Sequence, residues 1–154
     1  MSRIEQRIKD LGLELAQPAK PEFNYLTAIQ AGDLVFVSGH RPKPDPRNEF
    51  IGKVGAEVAA ETAYRAAGVT ILRSLSSLRA EIGDLDRVEQ VVKLFGMVNS
   101  APGFNRQPYV INGASDLLVD IFGDRGRHTR SAVGMAELPF GICVEIEMVV
   151  RLAA

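Results

Sequence analysis

The sequence predicts an α+β fold: one mixed β-sheet with two long helices on one face, plus a short N-terminal helix. Two observations carry this reading. The predicted elements run helix, β, β, long helix, β, helix, β, β, which fits a sheet covered by helices on a single side. The strands are also apolar on both alternations, most clearly at Leu34-Val35-Phe36-Val37. A sheet apolar on both sides needs cover on both sides. Two long helices cover one, so the second face is expected to pack against other copies of the chain.

Each element has its own warrant. Residues 3–13 place Ile4, Ile8 and Leu11 at helical spacing, and Gly12 ends the run. Gln17-Pro18-Ala19-Lys20-Pro21 then forces an extended passage. Residues 1–20 are therefore read as an N-terminal helical extension and 21–154 as a single domain. A strand over 26–31, a turn at Ala31-Gly32-Asp33 and a β-branched strand over 34–39 predict a hairpin. Three prolines at alternate positions, Pro42, Pro44 and Pro46, make the next segment a loop. The first long helix is expected over 56–82, with Val58, Thr62, Ala66, Val69, Leu72 and Leu75 on one face and Gly83 as its stop. An apolar strand follows over 88–98, broken by Asn99-Ser100-Ala101-Pro102-Gly103. A second helix spans 108–122, and strands over 129–137 and 142–152 close the chain.

Composition narrows the function. The 154 residues are 46% hydrophobic and 24% charged, with a formal net charge of −1. That balance is ordinary for a globular domain and gives no bulk attraction for nucleic acid or an anionic membrane. Cys143 stands alone, which excludes an intrachain disulfide and points to a reducing compartment. His40, His128 and that thiol are a poor set of metal ligands. Charges recur too often near the N-terminus for a signal peptide, and no apolar run approaches the length of a membrane span. A cytoplasmic location is the expectation.

The chemistry concentrates near the C-terminus. Arg130 and Glu145 lie on two strand-like runs joined by the turn signal Leu138-Pro139. Folded as a hairpin, these runs would bring both side chains toward one pocket. An arginine fork suits a small carboxylate, and a nearby carboxyl group suits water activation or proton transfer. Plainer readings exist for each. Arg130 could bridge to a neighbouring subunit, and Glu145 and Glu147 alternate with Val144 and Ile146 as on any half-exposed strand. Tyr25 could be an interface aromatic. His40 and His128 read as polar groups of loops, Cys143 as inert core, and Asn105-Arg106-Gln107 as a loop end or helix cap.

Four segments together resemble the YjgF/Rid family of reactive-intermediate deaminases, also known as endoribonuclease L-PSP. They are Asn24-Tyr25 with Ala28 and Gly32 to Gly39; Gly83-Asp84-Leu85-Asp86-Arg87-Val88; Phe104 with Val110-Ile111-Asn112; and Arg130-Ser131 with Leu138-Pro139 and Glu145-Ile146-Glu147. The resemblance implies a chorismate-mutase-like α+β fold assembled as a homotrimer, with sites in clefts between subunits. It implies that Arg130 binds a carboxylate, that Glu145 orients or activates water, and that Tyr25 and Ser38 line the pocket. Asn112 and Ala132 join the substrate-binding set. Departures mark a divergent subgroup. Phe23-Asn24 replaces Gly-Pro before the tyrosine, and His40 replaces a glutamine. Ala132 stands where a cysteine is frequent, and His128 where proline is usual. The loops over 40–56 and 99–108 are also longer.

The function so implied is hydrolysis of reactive 2-imino or 2-enamino acids to 2-keto acids and ammonia, with no cofactor and no metal. The ligand would be a small carboxylate metabolite. The alternative is a non-catalytic module that binds a keto acid or another small carboxylate. Ribonuclease action has weaker support, because the sequence has no basic stripe, no pair of histidines placed for general acid and base, and no aromatic platform for bases.

Overall fold

Alternation builds the sheet. In strand β5 (Val144–Leu152) the even-numbered residues from Val144 to Leu152 are all buried, while Glu145, Glu147, Val149 and Arg151 face the other way. Alternation recurs, less regularly, in β2 (Leu34–His40) and β3 (Val88–Asn99), and the more exposed edge strands β1 (Ala28–Ala31) and β4 (Thr129–Met135) complete the set. These strands come from a computed structural model that describes residues 2–43 and 45–154. They form one sheet in the order β1-β2-β5-β3-β4. β3 and β4 are parallel and the other pairs antiparallel, so the sheet is mixed, as the sequence predicts.

Helices α2 (Ala60–Ile82) and α3 (Gln107–Phe122) cover one face. They pack closely because their contact is built from small residues. A Cβ on Gly113 of α3 would stand 1.9 Å from the Tyr64 carbonyl oxygen of α2, so only glycine permits this approach. Leu75, Leu78, Ile111 and Leu118 fill the layer between helices and sheet, against Leu94 and Ile146.

Helix α1 (Arg3–Asp10) has Ser2 as its N-cap, accepting from the Glu5 amide at 3.1 Å. The Asp86 carboxylate takes the Arg3 and Ile4 amides as well, which satisfies two more free donors of the first turn. Ile4 and Ile8 of this helix are buried in the same apolar cluster as the rest of the core.

Two expected elements need correction. Helix α2 begins at Ala60, not near 56, because the preceding backbone is engaged elsewhere. The Val54 amide donates to the Asn99 carbonyl at 2.7 Å, and the Val54 carbonyl accepts from Ala101 at 3.0 Å. The last two strands do not form a hairpin. β4 lies parallel to β3 at the sheet edge, and β5 enters on the other side of β3. Buried Asn99 ties down the crossing segment: its amide and its side-chain NH2 donate to the carbonyls of Cys143 and Ile142, at 2.9 and 3.1 Å.

Among the described residues no helix lies on the second sheet face. Ile29, Phe36, Phe95 and Val149 occupy it, with Phe36 45% and Ile29 52% exposed. None of the helices is long and apolar enough to cross a membrane, among the described residues.

Candidate functional site

A β-bulge creates the site. Along β2, Val37 pairs with Met148 but His40 pairs with Ile146, so β2 carries one residue more than its partner. The extra residue falls at Ser38-Gly39. Strict alternation would send His40 to the uncovered face; the bulge turns it into the core, where it is 4% exposed. His40 is thus a core residue, not the loop polar group its sequence neighbours suggest. Its Nδ1 donates to the Ser38 carbonyl at 2.7 Å, which leaves Nε2 to accept from the Ser77 hydroxyl at 2.8 Å. Burial and the charge of Arg73 hold its pKa below the usual histidine value, against the pull of the Ser38 carbonyl.

The bulge also leaves Gly39 facing Glu145. A Cβ on Gly39 would lie 3.1 Å from the Glu145 carboxyl carbon, so the glycine makes the space in which that carboxyl group rests. Glu145 is half-buried on the uncovered face, directly opposite Met97 of β3. Burial pushes its pKa up, and the nearby charge of Glu147 adds to the shift, while Arg41 opposes it. A carboxyl group so placed holds and releases protons closer to neutrality than an ordinary glutamate.

Around Glu145 opens a cleft of about 530 Å³, to which Tyr25, Ser38 and His40 contribute. The Ser38 hydroxyl is committed to the Leu26 carbonyl at 2.6 Å, which fastens the passage carrying Tyr25 against β2. Three cations line the cleft that sequence reasoning did not single out, Lys20, Arg41 and Arg73. Arg41 donates to Glu22 at 2.9 Å and stacks 4.1 Å from the centre of the Phe140 ring. Phe140 has a φ of 61°, rare for a residue with a side chain, and lies in a short turn at Pro139–Gly141. The prolines around the loop and the Phe140-Gly141 pair were the available signals for this wall.

The remaining expected site residues sit elsewhere in the chain. Arg130 pairs with Leu94, a buried residue of the helix-covered face, whereas Glu145 pairs with Met97 of the uncovered face. Strand β3 separates them. The expectation that a hairpin brings Arg130 and Glu145 to one pocket of a single chain is therefore overturned. Arg130 leans on α3, donating to the Ser115 hydroxyl at 3.0 Å and to the Pro108 carbonyl at 3.2 Å. Asn112 lies on that helix, and Ala132 packs against the core from β4.

His128 belongs to this second group. Its Nδ1 donates to the Gly126 carbonyl at 2.7 Å, and its Nε2 accepts from the Ser115 hydroxyl at 2.8 Å. One serine thus joins His128 to Arg130. Cys143 is fully buried, and burial raises its thiol pKa to about 12, so it is inert. Among the described residues no cluster of His, Cys, Asp and Glu has the geometry to hold a metal.

Residues 5–150 match the family described as "YjgF/chorismate mutase-like, putative endoribonuclease". The chain is 43% identical over 151 residues to Protein TCP17 of Trypanosoma cruzi, covering 97% of this chain and 94% of that protein. It is similar to the crystal structure of Atu1372 from Agrobacterium tumefaciens, a protein of unknown function: 41% identity, TM-score 0.89, with 97% and 92% of the two chains covered. A Shewanella oneidensis structure described as a "putative endoribonuclease" superposes with TM-score 0.92 at 28% identity, over 98% and 100% of the chains.

Proposed function

The chain belongs to the YjgF/chorismate mutase-like family, and from that premise we propose that it is a deaminase of reactive 2-imino and 2-enamino acids, working as a homotrimer. The observation that carries the reading is the half-buried Glu145 carboxyl, set in the space left by Gly39 with Tyr25 and Ser38 beside it. Arg130 completes the cleft from a neighbouring copy. The apolar uncovered face, with Phe36, Phe95 and Val149, supplies the surface on which copies meet.

The chemistry asks little of the protein. Arg130 holds the substrate carboxylate through its planar fork. Glu145 accepts a proton from water as the water oxygen attacks C2 of the C=N bond, and the imine nitrogen takes up a proton. The C2–N bond of the resulting carbinolamine then breaks, releasing ammonia and leaving the 2-keto acid. An enamino acid first gains a proton at carbon and gives one up from nitrogen to become the imine. Positioning and proton transfer supply the acceleration.

A ribonuclease reading draws less support from the site. His40 is locked in the core by Ser38 and Ser77, and His128 sits with Arg130 away from Glu145. No histidine pair faces a common cleft within the chain.

The test uses imino acid generated in place by an amino-acid oxidase, with keto-acid formation followed at limiting enzyme. Turnover above the spontaneous rate is expected of the native protein. Inactivity of the native protein, with retained affinity for keto acids, would favour the non-catalytic carboxylate-binding module, to which Ala132 in place of cysteine lends some support.

A further inference from the structure

The cleft holds a guanidinium that the reaction does not use. Arg73 projects from α2 into the same space as Glu145 and is half-buried. Its Nη1 donates to two backbone carbonyls, Arg41 at 2.8 Å and Pro42 at 3.3 Å. Both acceptors are neutral. Among the described residues no carboxylate pairs with it, and its Nε and Nη2 donate to no atom of those residues. Glu22, the acid whose charge reaches it, is committed to Arg41. Glu22 is the one carboxylate in ion-pair contact with either arginine, among the described residues. A partly desolvated cation held by neutral groups, with donors to spare, is arranged to receive an anion.

We propose that Arg73 binds a second anionic group of the ligand, so that the cleft selects small 2-imino and 2-keto acids carrying a distal carboxylate over monocarboxylic ones. The proposal deepens the deaminase reading and rests on it for the first carboxylate, assigned to Arg130. Arg41, pinned between Glu22 and Phe140, adds positive potential but has less freedom to turn toward a ligand.

The test is calorimetric titration with two stable probes on the same five-carbon skeleton, 2-oxoglutarate and 2-oxopentanoate. The native protein should bind the diacid about tenfold or more tightly than the monoacid, the worth of one charged hydrogen-bonded contact. Arg73→Met should bring the diacid down to the affinity of the monoacid and leave the monoacid unchanged. Because Arg73 also holds two loop carbonyls, thermal melts accompany the titrations. Arg73→Lys, which keeps a donor for those carbonyls but loses the fork, should lower the preference severalfold with the fold intact. Equal affinities in the native protein, binding of neither probe, or a preference that survives both substitutions would overturn the proposal. Arg130→Lys separates the two claims: it should weaken both acids alike. If it weakens neither while Arg73→Met still erases the preference, the assignment of Arg130 fails and that of Arg73 stands.

Discussion

The two faces of the sheet are made by the same five strands, yet they are finished differently. On the covered face Leu94, Val98, Ile146 and Met148 are buried under α2 and α3, and the polar group that intrudes, His40, is tied off to Ser77. On the other face large apolar groups, Phe36, Phe95 and Val149, share space with Glu145, Glu147 and Ser38. Apolar character is common to both. What differs is that one face is closed by helices of the chain and the other is left open. The cleft lies on the open face.

The largest expected effect breaks the covered face. Gly113→Val drives a side chain into the Tyr64 carbonyl and should cost more than about 4 kcal/mol, the range of severe core overpacking; chemical denaturation, or failure to recover folded protein, checks it. Next comes a matched pair. Ile146→Ala, in the closed core, should lose about 2–5 kcal/mol of stability by urea melts. Phe36→Asp, on the uncovered face, should keep native circular dichroism but sediment as a monomer. Loss of fold in the second variant would mean that the two faces are not distinct.

A third test acts on the cleft alone. Glu145→Gln should lower imino-acid turnover by about 10²-fold or more, the usual contribution of a general base, while binding of a keto acid changes little. Equal loss of both would make Glu145 a structural residue. The smallest effect concerns pH. The folded-state pKa of His40 is depressed, so its contribution to stability is present above the unfolded value near 6.5 and is lost as pH falls through the folded one. Melting temperature should therefore drop between pH 7 and pH 5, and the drop should be shallower in His40→Gln, which keeps an acceptor for Ser77. His128, also depressed, has the same sign and sets the slope that remains.

Much of this architecture was legible in residue patterns. Apolar, β-branched runs between turn signals located the strands, and the stripe from Val58 to Leu75 located α2, overrunning its start by one turn. Pairing order was not legible. Arg130 and Glu145 flank a turn signal, and nothing local says that β5 passes β4 to seek the hydrogen bonds of the longer β3. The bond network of Asn99, a residue that reads only as a strand breaker, fixes that crossing. The cleft was legible in part. Tyr25, Ser38 and Glu145 line one cleft, but Arg73 shows no sign in the sequence of facing it, because the carbonyls that orient it lie 31 and 32 residues away. The fate of His40 depended on a single inserted residue, for which Gly39 inside a strand was the only clue.

That inserted residue acts as a phase change. Before Ser38, odd-numbered positions of β2 point to the helices; after Gly39, even-numbered ones do. Were the extra residue drawn into regular pairing instead of bulging, everything beyond it would rotate. His40 would swing out beside Glu145, its place against Ser77 would be left empty, and Arg41 would turn away from Phe140. A strand of unchanged length thus meets different side chains according to whether it bulges, so flattening it would harm the cleft more than most substitutions in its wall.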